Sequence, residues 1–206
     1  MTPTVAQALA GDNRAPILLL RAFDDDKVLF QNANPALAGR DNTLEELPQR
    51  VAATAGPVIT IGRPGETLPP PGASREWVSD DAWRQRVVSW LDQCQNVVMI
   101  MGRLGNQASG LRWEIDQIRR LSDPTKVVLV LPPVHPPEIR LRWEAYREVF
   151  GVGLPEFTGD EVAATFDANW NSIVARSAKR DIDSYEFTLR NIFPAGPGHV
   201  ERKLRL

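Results

Sequence analysis

The sequence predicts a doubly wound α/β fold, with a parallel sheet covered by helices on both faces. Two observations carry this expectation. Short, almost continuous apolar runs recur along the chain, which suits strands buried on both faces rather than on one. Between them, apolar residues recur every three and four positions, the period of a half-buried helix. Alternation of the two patterns leads to parallel strands joined by right-handed crossovers.

The elements follow in order. The first strand is expected at 16–20 (Pro-Ile-Leu-Leu-Leu), ahead of a helix over 43–53 that turns Leu44, Leu47 and Val51 inward. The second strand is expected at 57–61 (Pro-Val-Ile-Thr-Ile). A Gly- and Pro-rich segment, 62–79, follows; it is long for a connector, and such loops are often functional. Asp80 or Asp81 can cap the next helix, whose stripe is Trp83, Val87, Trp90, Leu91 and Cys94. The third strand, 96–101, leads into a helix opened by Ser109 and ending near Asp123-Pro124. The fourth strand is expected at 126–131. Pro132-Pro133 and Pro136-Pro137 are expected to hold off regular structure. A helix over 138–150 then points Ile139, Trp143, Tyr146 and Phe150 inward. A fifth strand at 162–166 and a helix over 182–192 complete one domain, 16–193. Residues 1–15 read as an N-terminal extension, and 194–206 as a loosely ordered tail.

Composition narrows the function. At 43% hydrophobic and 24% charged, the chain reads as an ordinary globular protein. Its net charge of −2 argues against a general nucleic-acid-binding surface. Only Lys27, Lys126, Lys179 and Lys203 are lysine, so the basic residues are mostly arginine, which suits forked contacts to phosphate or carboxylate as well as ordinary surface. The single cysteine, Cys94, falls on an apolar face, and no metal or catalytic cluster forms around His135 or His199. No run approaches a bilayer-spanning length and no leader is visible, so a cytoplasmic protein without a membrane segment is expected.

Against this background Glu114 stands out. Its helix buries Leu111, Ile115, Ile118 and Leu121, and at about 100° per residue Glu114 falls between Ile118 and Leu121. A carboxylate on that side costs free energy unless it is paired or used. It also follows a strand at the edge where open α/β sheets bind ligands. Arg21, Phe23 and Asp24 follow the first strand, and Gly62 and Arg63 follow the second. If the first and third strands are neighbours, Arg21, Phe23 and Glu114 converge: Arg21 to hold a phosphate, Phe23 to stack on a base. The same residues also read as a buried ion pair (Arg21 with Glu114), a core phenylalanine, and a solvated or Mg²⁺-holding turn at Asp24 to Asp26. Gly102 and Gly105 lack the spacing of a phosphate-binding fingerprint.

The stretches Val97-Val-Met-Ile-Met-Gly and Ser109-Gly-Leu-Arg-Trp-Glu-Ile-Asp116 resemble the TIR domain superfamily. So does the loop Gly62-Arg-Pro-Gly-Glu66. More narrowly, Ile17-Leu-Leu-Leu-Arg-Ala-Phe-Asp-Asp25, Gly56-Pro-Val-Ile-Thr-Ile-Gly-Arg-Pro-Gly-Glu-Thr-Leu-Pro-Pro70 and Gly110-Leu-Arg-Trp-Glu114 resemble a group of uncharacterised bacterial TIR-like proteins. The resemblance implies a flavodoxin-like sheet of about five strands in the order 2-1-3-4-5. It implies cleavage of the nicotinamide–ribose bond of NAD⁺ in bacterial signalling or defence, with Glu114 catalytic. NAD⁺ or a related nucleotide would be substrate, with no separate cofactor or metal. Arg21, Phe23, Asp24, Gly62, Arg63, Ser109 and Trp113 would contact it, and a homo-oligomer would form through TIR-like surfaces. Two other readings stay open: a non-catalytic scaffold or nucleotide sensor, and a nucleoside deoxyribosyltransferase-like enzyme with Asp24 partnering the glutamate.

Overall fold

The structure, a computed structural model, describes residues 3–22, 25, 28–30, 43–44, 46–52, 55–62, 73–79, 82–105, 109–151 and 153–193. In chain order the strands are β1 (Ile17–Leu20), β2 (Val58–Ile61), β3 (Ser74–Glu76), β4 (Asn96–Ile100), β5 (Val127–Val130), β6 (Glu161–Phe166) and β7 (Ser172–Arg176). The helices are α1 (Val5–Gly11), α2 (Glu46–Ala52), α3 (Trp83–Gln93), α4 (Ser109–Leu121), α5 (Pro136–Phe150) and α6 (Ile182–Ile192).

The apolar runs form the middle of the sheet because each is covered on both faces. Residues alternate between two cores. Leu18, Leu20, Val97, Met99, Val127 and Leu129 pack under α3, α4 and α5. Ile17, Leu19, Val98, Ile100, Val128 and Val130 pack under α2 and α6. The expected inward residues Leu44, Leu47 and Val51, in and just before α2, and Ile139, Trp143, Tyr146 and Phe150 of α5 are buried accordingly.

The sheet has seven strands in the order β3-β2-β1-β4-β5-β6-β7, which corrects the five-stranded parallel sheet expected. β1 to β5 are parallel, whereas β6 is antiparallel to β5 and β7 to β6. The physical reasons are local. β3 reads Ser-Arg-Glu and has no apolar residue to announce it. β7 is a half-exposed edge strand, so it lacks a continuous apolar run. β6 reverses because residues 153–160, with Leu154 and Phe157 buried, bring the chain to the carboxyl end of β5. There the Leu131 N–H donates to the Val162 carbonyl at 3.0 Å.

Other expectations also change. Pro136 and Pro137 do not delay α5; they open it, because the first-turn N–H groups of a helix need no partner within it. Leu121 is 52% exposed rather than inward, which narrows the buried stripe of α4 to Leu111, Ile115 and Ile118. In the stretch before β1, Thr4 caps α1 through a reciprocal pair of bonds with Gln7, and Val5 enters the core. Phe23, Asp24, Arg63, Asp80, Asp81, His199 and the tail 194–206 lie outside the described residues. Among the described residues, no helix is long and apolar enough to cross a membrane.

Candidate active site

β1 lies between β2 and β4, and the chain leaves β1 for α2 on one face of the sheet and β4 for α4 on the other. Strand order therefore reverses beside β1, and the crevice at the carboxyl ends of β1 and β4 is where such sheets take ligands. Arg21 directly follows β1, Met101 and Gly102 follow β4, and α4 brings Glu114 over the same edge.

Arg21 is buried, with 8% exposure. Its Nη1 donates to Thr60 Oγ1 at 3.0 Å, and that hydroxyl donates to the Leu19 carbonyl at 2.9 Å. A threonine inside an otherwise apolar strand thus ties the end of β1 to β2.

Glu114 is half-buried at the border of its helix stripe. Burial raises its carboxyl pKa to about 8, and the positive charge of Arg21 opposes that rise. Among the described residues, Glu114 makes no hydrogen bond or ion pair; Arg21 acts on it through space. The buried ion pair of the alternative reading is therefore absent at this separation. A neighbouring phenol, Tyr146, is pushed above its ordinary range by burial first, with the charges of Glu114 and Asp25 adding to the rise.

The walls of the crevice are held by α5, which the sequence reading assigned only to packing. Arg142 donates to both oxygens of Asp25, at 2.7 and 2.9 Å, and to the Met101 carbonyl at 3.0 Å. It also contacts Glu138, which receives Arg103 through two bonds of 2.7 Å. One turn beyond Arg142, the Tyr146 hydroxyl accepts the Gly102 N–H at 3.1 Å. Burial works against the charge of Arg142, yet Asp25 and Glu138 hold its pKa above the ordinary value.

The other expected residues divide. Gly62 is buried at the end of β2, beneath Trp77. Ser109 is the exposed first residue of α4. Trp113 joins the seam between α3 and α4, in edge contact with Trp83 at 5.1 Å, about 100° around the helix from Glu114. Arg84 lies over both rings. In the acidic run, the described residue is Asp25, and its carboxylate is engaged by Arg142, which leaves it poorly suited to hold Mg²⁺ or to assist a nucleophile. Among the described residues, no group of three His, Cys, Asp or Glu side chains could hold a metal ion.

Arg142 was legible by the argument that flags Glu114. It lies three residues after Ile139 and four before Tyr146, inside the inward stripe. Comparison with family models, with curated proteins and with solved structures finds no match to this chain.

Proposed function

We propose that the chain is a TIR-like NAD⁺ glycohydrolase that cleaves the nicotinamide–ribose bond. The observation that carries this reading is Glu114, a desolvated carboxylate without a hydrogen-bonded partner among the described residues, at the strand-order switch. With a pKa raised to about 8, the free site holds Glu114 largely protonated at neutral pH. The pyridinium ring of NAD⁺ carries a positive charge, and a nearby cation favours the carboxylate form. Substrate therefore helps to ionise the group that its own reaction needs.

The bond from ring nitrogen to ribose C1′ breaks heterolytically. Its electron pair goes to the nitrogen and neutralises the ring. The oxocarbenium-like ribose is stabilised by the Glu114 carboxylate, as charge developing in a water-poor site is best stabilised by a fixed opposite charge. Water adds through oxygen to C1′ and gives its proton to Glu114 or to solvent. Arg21, beside the carboxyl end of β1, suits the diphosphate. Enzymes of this kind work as assemblies, so a homo-oligomer belongs to the reading.

The test is nicotinamide release from NAD⁺ at high protein concentration, wild type against Glu114→Gln. Turnover in the wild type and at least a hundredfold loss in the variant is the expected result. Equal turnover in both sinks the assignment. Ligand-induced stabilisation without product in either would favour a nucleotide-sensing scaffold.

A further inference from the structure

We infer that Trp77 is the stacking platform for the adenine base of the dinucleotide, at the opposite end of the crevice from Glu114. The inference rests on the nucleotide reading above and adds the subsite that distinguishes a dinucleotide from its nicotinamide half.

Trp77 is the most exposed of the six tryptophans. Trp90 and Trp143 are buried and donate their ring N–H groups, to Glu76 and to the Pro155 carbonyl. Trp83 and Trp113 pair with each other, and Trp170 packs on Phe150 and Phe166. Trp77 is 46% exposed and, among the described residues, has no ring partner and no hydrogen bond to its indole N–H. A half-exposed indole beside the strand ends is well suited to a planar base.

Its position is fixed by Gly62. A Cβ on Gly62 would stand 3.1 Å from Trp77 Nε1, 3.2 Å from its Cδ1 and 3.5 Å from Arg75 Cδ. The indole therefore lies against bare backbone at the end of β2. The Gly62 N–H donates to the Glu76 carbonyl at 2.9 Å, which holds that backbone in the ladder. Thr60 and Gly62 are two residues apart and share one side of the sheet, and Thr60 is where Arg21 docks. Arg21, Thr60, Gly62 and Trp77 thus line one side of the strand ends and α4 the other, so that a ligand lying across those ends meets both.

Distance agrees with chemistry. Glu114 lies on α4, which follows β4, while Arg21 follows β1, Gly62 follows β2 and Trp77 follows β3, and the four strands are adjacent in the sheet. Three strand spacings, about 14 Å, separate the carboxyl ends of β3 and β4. A dinucleotide laid across the strand ends places its reacting ribose at Glu114, its diphosphate near Arg21 and its second base on Trp77.

The experiment compares NAD⁺ with nicotinamide mononucleotide, which lacks the adenine half, in wild type, Trp77→Ala and Trp77→Phe. ADP-ribose binding by calorimetry is measured in parallel. We expect Trp77→Ala to weaken ADP-ribose binding and raise KM for NAD⁺ roughly ten- to a hundredfold, the scale of one stacked base. It should leave kcat and the mononucleotide KM unchanged, and Trp77→Phe should restore most of the loss. Nicotinamide release with unchanged ADP-ribose affinity in Trp77→Ala overturns the subsite and leaves the chemistry standing. Trp77-dependent ADP-ribose binding without any nicotinamide release keeps the subsite and removes the chemistry. Failure of the wild-type chain to bind ADP-ribose overturns the inference outright.

Discussion

Arg142 grips Asp25, 117 residues earlier in the chain, through two bonds of 2.7 and 2.9 Å, and both side chains are buried. The pair ties the loop after β1 to α5, while Arg142 also holds the end of β4 through the Met101 carbonyl. Removing one partner strands the other charge in the interior. Arg142→Met should cost about 3–5 kcal/mol in urea unfolding, and the double variant Arg142→Met/Asp25→Asn clearly less than the single one. A double variant as unstable as the sum of both singles would show that the two groups act independently.

Glu114 gives stability a pH dependence of defined sign. Its folded pKa is raised to about 8, above the ordinary carboxyl value of 4.5, so the folded chain holds a proton that the unfolded chain has released. The contribution is fully present below about pH 4.5 and is lost as pH rises to about 8. Glu114→Gln removes it. The variant should therefore gain on the wild type as pH rises across that window in thermal unfolding. A constant difference in Tm from pH 5 to pH 8 would contradict the assignment.

The contrast between what was legible and what was not has a physical basis. β1, β2, β4 and β5 are legible because each is covered on two faces and so is apolar along nearly its whole length. β3 is held by a neighbour and a ladder, not by apolar side chains, so its sequence carries no strand signal. Glu114 was legible as a charge in a stripe. Arg142 carries the same signal, a charge between Ile139 and Tyr146 on the inward stripe of its helix. Asp25 could not be separated from its acidic neighbours without knowing which one faces α5. Trp77 could not be placed without β3.

Gly102 is required by close approach, not by an unusual backbone angle. A Cβ there would stand 2.7 Å from Ala22 Cβ, 3.0 Å from Leu111 Cδ2 and 3.3 Å from Asp25 Oδ2. The loop after β1 and the first turn of α4 therefore meet over bare backbone, within the crevice. Gly102→Ala should force them apart at a cost of about 1–3 kcal/mol and lower nicotinamide release more than stability alone explains. Wild-type stability in the variant, measured by urea unfolding, would mean that the loop yields freely.

The raised Glu114 carboxyl also predicts a rate profile. If the ionised form supports bond cleavage, kcat/KM for NAD⁺ reports the free enzyme and should rise with pH to a plateau above about 8. The substrate's pyridinium charge favours the ionised group, so kcat should reach its plateau at lower pH than kcat/KM. Arg21 opposes the effect of burial on Glu114. Arg21→Met removes that charge and should displace the kcat/KM profile to higher pH, in addition to any loss of diphosphate affinity. A profile that stays in place in Arg21→Met would break the link between the two residues. A profile for the wild type that is flat from pH 5 to pH 9 would remove Glu114 from the chemistry.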